Sequence, residues 1–153
     1  MKLKNTQRIH ASKSPVLQFR NVQNQRLSVK PRGLWYGFGS SWLDWVESEM
    51  PSWRDSTKHL FALEIDSSKV CTIDNIDTLE TFHELYAVAW KDIDADMIDW
   101  SAVAHDYDGV EINPFTRHLS FELWQKFPWY SSWDVSSGCL WNDRALINVR
   151  QLR

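Results

Sequence analysis

Tyr107-Asp108-Gly109-Val110-Glu111-Ile112 is the run at which the sequence changes period. Upstream, apolar residues recur at helical spacing. Ser41 with Asp44 three residues on has the form of a capping box. Trp42, Trp45 and Val46 then share one face until Met50-Pro51 ends the run. Asp77 with Glu80 opens a second helix whose apolar face is Leu79, Phe82, Tyr86 and Ala89, and a third is predicted from about Met97 to Tyr107, closed by Gly109. Downstream, the pattern alternates: Val110-Glu111-Ile112, Leu119 to Leu123, Gly138 to Trp141 and Ala145 to Val149 read as strands. The other strand candidates are Gln7 to Ser12, Arg26 to Val29 and Leu34 to Phe38 before the first helix, and His59 to Ile65 and Lys69 to Ile73 between the first and the second. Strands at both ends with helices inserted between them predict an α+β fold, not alternating βαβ units.

The 153 residues suit one domain, 1–153, since two cores of half that size would each be marginal. Hydrophobic residues at 43% and charged residues at 24% exclude a disordered or fibrous chain. No apolar run approaches the roughly 18 residues that span a bilayer, and Met1 to Asn5 leads into no signal segment; no membrane and a cytoplasmic location are therefore expected. Cys71 and Cys139 are too few and too far apart for a disulfide scaffold, and read as reduced core thiols.

Two features depart from the average. Ten Trp stand among seven Phe and four Tyr, more than a core of this size needs, and surplus aromatics tend to line ligand sites. Charge is also segregated. Residues 1–33 hold Lys2, Lys4, Arg8, Lys13, Arg20, Arg26, Lys30 and Arg32 and no acid, whereas residues 34–111 are strongly acidic. One flank can thus accept an anion that the other repels.

Metal chemistry has no support in the pattern: the five His are scattered, with no HExxH and no Cys/His pair at ligand spacing, so no metal is expected. A phosphate loop and a GxSxG elbow are absent. Asp92, Asp94, Asp96 and Asp99 lack the Gly and Glu of a calcium loop and read as an acidic helix start.

Three stretches make a better constellation: Ile9-His10-Ala11-Ser12, Gly33-Leu34-Trp35-Tyr36-Gly37 followed by Ser40-Ser41, and Val110-Glu111-Ile112. Their order and character resemble the ADP-ribosyltransferases of the His-Tyr-Glu type, the group of the poly-ADP-ribose polymerases and diphtheria toxin. On that resemblance the family's His falls on His10, the next small residue on Ala11 and the hydroxyl residue on Ser12. Its Tyr falls on Trp35 with Tyr36 beside it, its Ser on Ser41 and its Glu on Glu111. Three departures stand out. Ala11 replaces Gly, and Trp35 replaces Tyr, keeping a stacking face without the hydroxyl. Gly109 sits where arginine-modifying members carry Glu or Gln.

The resemblance implies a split β-sandwich of two small antiparallel sheets, helices outside, with NAD as ADP-ribose donor in the cleft. It also implies kinship to small toxins of toxin–antitoxin or phage-defence systems, some of which modify nucleic-acid bases. The partners expected are NAD, a nucleic-acid acceptor (RNA or DNA), with protein as the other acceptor, and an antitoxin or inhibitor protein. The chemistry asks for the same residue types. Loss of nicotinamide builds positive charge on the ribose, which a carboxylate such as Glu111 opposes. Aromatic faces such as Trp35 and Tyr36 stack the ring, His10 and Ser12 can bond a ribose, and Arg8, Lys13, Lys30 or Arg32 can meet a pyrophosphate.

Plainer readings stand beside each. His10 suits a strand end, one of Trp35 and Tyr36 belongs to the core, and Glu122 repeats the Glu111 pattern as a reserve candidate. The segment Trp129 to Trp141 fits a stacking wall or a tryptophan-braced corner equally well. A non-catalytic module binding a nucleotide, modified base or sugar is the alternative to an enzyme.

Overall fold

Alternating apolar residues form strands wherever the chain can bury one face, and here they do so in two sheets. The computed structural model describes residues 1–116 and 120–153. In chain order the elements are β1 (Arg8–Ser12), β2 (Leu27–Ser28), β3 (Leu34–Phe38), α1 (Ser41–Glu49), β4 (His59–Ile65), β5 (Val70–Ile73), α2 (Ile76–Tyr86), β6 (Ala87–Ala89), β7 (Asp96–Asp99), α3 (Trp100–Asp106), β8 (Gly109–Ile112), α4 (Ser120–Lys126), β9 (Ser137–Leu140) and β10 (Leu146–Gln151). The fold is α+β. Its main sheet runs β10-β4-β1-β3-β9-β8-β5, antiparallel except for the β5–β8 pair, and a second sheet runs β2-β7-β6. One large sheet and one small one therefore stand where two small antiparallel sheets were expected.

Three helix expectations need correction. The third helix begins only at Trp100, because Asp99 accepts hydrogen bonds from the backbone N–H groups of Ser101 and Ala102, and Asp96–Asp99 pairs as β7 in the small sheet. In α2 the cap is Asn75 with Thr78 in a reciprocal box, not Asp77 with Glu80. Residues 120–123 are helical, not a strand: Leu123 and Phe127 are buried four residues apart, while Phe121 is 71% exposed. Leu119 lies outside the described residues. Glu122, the reserve candidate, is exposed on α4 and away from any strand.

The main sheet buries both faces. On one, Leu34, Tyr36 and Phe38 of β3 pack with Phe61, Leu63 and Ile65 of β4 and Leu140 of β9. On the other, Val110 and Ile112 of β8 pack with Leu79, Phe82, Trp100, Trp129 and Trp133. The tail is thus mainly a braced corner. Two of its indoles find acceptors, Trp141 Nε1 donating to the Tyr107 carbonyl (2.8 Å) and Trp129 Nε1 to His83 Nδ1 (3.1 Å), whereas Trp133 Nε1 is buried without one.

In one row across three strands, Tyr36 of β3 stands opposite Gly138 of β9, and Gly138 opposite Glu111 of β8. The Tyr36 ring crosses the glycine: a Cβ at Gly138 would lie 2.5 Å from the ring carbon and the oxygen of Tyr36. Gly138→Ala should cost about 1–3 kcal/mol through overpacking, because the buried ring has nowhere to go. Urea denaturation measures it, and an unchanged midpoint would show that the ring can yield.

Candidate functional site

The strands β1 and β3 pair at only two positions, Arg8 opposite Phe38 and Ile9 opposite Gly37. Beyond Ile9, the His10 ring bridges them, its Nδ1 2.6 Å from the Trp35 carbonyl oxygen. A cleft of about 420 Å³ opens at this point. Strand residues Ile9, Ala11, Trp35, Gly37 and Ser137 line it, as do His10 and Tyr36. Trp42, Trp53 and Ser56 come from α1 and the following 3₁₀ turn, Trp133 and Val135 from the tail, and Lys30 from the loop before β3. The volume lies in the range of small-molecule sites.

Local packing explains the shape. Gly37 lets α1 approach: a Cβ there would lie 3.1 Å from Ser41 Oγ and from Trp42 Cβ. Ser41 Oγ also donates to the Ser136 carbonyl (3.2 Å), tying the helix start to the tail. Trp42 stacks on Trp45 at 5.0 Å and 13°, with Trp53 tilted against both. Across the cleft, Trp35 meets Trp133 edge-on at 5.0 Å. The Lys30 ammonium lies 5.7 Å from the centre of the Trp35 ring.

Burial holds the His10 imidazole below its ordinary pKa, against the opposing pull of the Trp35 carbonyl. The ring is therefore neutral at pH 7 with Nδ1–H donating to that carbonyl, which leaves Nε2 as an acceptor. Burial likewise lowers the Lys30 ammonium, partly offset by the charge of Asp134. Burial pushes both thiols up, Cys71 to about 11 and Cys139 well above the ordinary thiol range, so neither is a thiolate at neutral pH.

Glu111 sits elsewhere. It is 4% exposed and is held by the Arg8 guanidinium, which bonds Oε1 through Nε and Oε2 through Nη2 (3.3 Å). Tyr36 Oη donates to Oε1 at 2.8 Å. Burial works against the charge on Arg8, but the carboxylate outweighs it and raises the guanidinium pKa. Burial raises the Tyr36 hydroxyl, and Glu111 adds to the effect, so it stays protonated and donates. Alternation along β3 and β8 puts the Tyr36 and Glu111 side chains on the face of the sheet opposite Trp35, and Glu111 does not line the cleft.

Of the residues singled out in the sequence, His10, Ala11, Trp35 and Tyr36 meet at the cleft. Ser41 supports its rim. Ser12 is turned into its own loop, accepting from the Ser14 N–H (3.0 Å). Glu111 joins the group only through Tyr36 and Arg8. Trp42 and Trp53 line the cleft without being among the site residues singled out in the sequence, while Trp133 and Ser137 belong to the Trp129–Trp141 segment that reads as a stacking wall or a braced corner. Trp42 had the spacing of a packing face, and Trp53 follows Pro51 where no period exists. Among the described residues, no three His, Cys, Asp or Glu side chains gather to hold a metal, and no helix is long and apolar enough to cross a membrane.

The lowered His10 value predicts a pH effect. Below about pH 6.5 the unfolded chain binds a proton at this ring more readily than the native one, so the native state loses stability as pH falls; above that the contribution is flat. His10→Gln keeps a donor for the Trp35 carbonyl and removes the titration. Denaturation curves between about pH 5 and pH 7.5 should therefore show wild type losing ground against the variant at the acid end. Parallel curves would mean that His10 is not held neutral.

No family model, no curated protein and no solved structure matches the chain.

Proposed function

We propose that the cleft binds NAD and that the chain transfers ADP-ribose from it to an acceptor. One observation carries the reading. Three segments singled out in the sequence for that chemistry lie on β1, β3 and β8 of one sheet and are linked through side chains, His10 to the Trp35 carbonyl and Tyr36, across β9, to Glu111. Trp35 and its aromatic neighbours supply faces for the nicotinamide ring and exclude water. The bond between the ribose C1′ and the nicotinamide nitrogen breaks, nicotinamide leaving with the electron pair. The acceptor then forms its bond to C1′ and gives up a proton. Glu111 provides the negative charge that opposes the ribosyl cation, with Tyr36 connecting it to the cleft.

The acceptor in this proposal is a nucleic acid. Lys2, Lys4, Lys13, Arg20 and Arg26 are exposed in a stretch without acids. The net charge of −3 makes such binding weak and salt-sensitive. A second reading, a nucleotide-binding module without turnover, is favoured by one specific observation: Glu111 is ion-paired with Arg8 and neither residue lines the cleft.

Incubation with NAD labelled on the adenylate, with RNA, DNA or protein added, separates the two. Release of nicotinamide with label on nucleic acid is the expected result. Glu111→Gln should keep NAD binding while turnover falls about 100-fold or more. Binding without nicotinamide release by the wild-type chain would leave the module reading, and label on protein alone would remove the nucleic-acid acceptor.

A further inference from the structure

We infer that Lys30 is the group by which the cleft selects a phosphorylated ligand, its ammonium exchanging the face of Trp35 for a phosphate while the ligand's ring takes its place. The inference rests on the reading of the cleft as an NAD site and names how that site tells nucleotides from nucleosides. Lys30 and Trp35 both line the cavity, and the ammonium lies 5.7 Å from the Trp35 ring centre. The ring that a planar ligand would stack on is thus already covered by a cation of the chain itself.

That cation lacks an anion of its own. Lys30 is half-buried and makes no hydrogen bond or ion pair among the described residues; only the charge of Asp134 acts on it from further away. Burial depresses its pKa, so an arriving anion would restore what the protein withholds. Arg32, close in sequence, is committed instead to the Asn24 carbonyl. A lysine also suits the exchange: its ammonium is a point charge on a flexible four-carbon stem, free to move without demanding a planar partner. The pyridinium ring of NAD is itself cationic, so one cation replaces another on the indole face and the attraction between cation and ring persists.

The test compares NAD with nicotinamide riboside, which has the same cationic ring and no phosphate, by titration calorimetry on wild type, Lys30→Met and Lys30→Arg. Lys30→Met should weaken NAD about ten-fold or more, the scale of a lost charge-assisted contact, while the riboside binds as well or more tightly because Trp35 is uncovered. Lys30→Arg should recover most of the NAD affinity. Thermal melts of the variants should match wild type. Equal loss for both ligands would make Lys30 a structural residue, and unchanged NAD binding in Lys30→Met would remove its role; either result overturns the inference and leaves the NAD reading intact. A wild-type chain that binds neither ligand overturns both.

Discussion

A carboxylate with 4% of its surface exposed cannot stand alone inside a sheet, because leaving it unpaired would cost several kcal/mol. Glu111 on β8 is therefore tied to Arg8 on β1 and Tyr36 on β3. These partners reach it across β9, which is possible because Gly138 has no side chain in the path of the Tyr36 ring. The network fixes the register of four strands at once. A one-residue slip of β1, β3 or β8 would turn Arg8, Tyr36 or Glu111 to the other face and leave the buried network short of a partner, and a slip of β9 would put a side chain where Gly138 lets the Tyr36 ring pass.

The cleft follows from the same constraint. With Tyr36 and Arg8 committed to one face, Trp35, Gly37, Ile9 and Ala11 must occupy the other, and these residues line the cavity. Strand β1 stays paired with β4 along its whole length but leaves β3 after two residues, and His10 fills the gap with a hydrogen bond in place of a ladder pair. Aromatic side chains then supply the walls. Trp133 lines the cleft with its Nε1 buried and unpartnered, whereas the indoles of Trp100, Trp129 and Trp141 are all satisfied. The Trp45 Nε1, beneath the stacked Trp42, is the other buried indole nitrogen without a partner among the described residues.

Local chemistry was legible wherever it depended on the chain's own neighbours. The strands β3, β4 and β8 and the α+β class follow from period in the sequence. Helix α1 begins at Ser41 as its apolar spacing predicts, but Ser40 is its N-cap without a side-chain cap and donates to Asp44, so no Ser41–Asp44 box forms. Errors arose where a side chain chose between two local options. Asp99 could sit inside a helix or cap one, and a cap with Ile98 fully buried in the small sheet won. Phe121 and Leu123 could alternate as a strand or lie on a helix, and the burial of Phe127 four residues beyond Leu123 decided for the helix.

The sequence by itself determined that Glu111 points opposite to Val110 and Ile112, that Trp35 and Tyr36 face opposite ways, and that His10 lies on the same strand as Arg8. Only the tertiary structure decided which of these faces meet. Glu111 went to Arg8 and Tyr36, while the cleft went to Trp35, His10, Lys30 and three tryptophans from α1, the turn after it and the tail. The reason is physical. Alternation is a property of one strand, read from residues two apart, whereas the row in which Tyr36, Gly138 and Glu111 stand together depends on β9 pairing on one side with β3, distant in sequence, and on the other with β8, chosen to leave no buried charge alone.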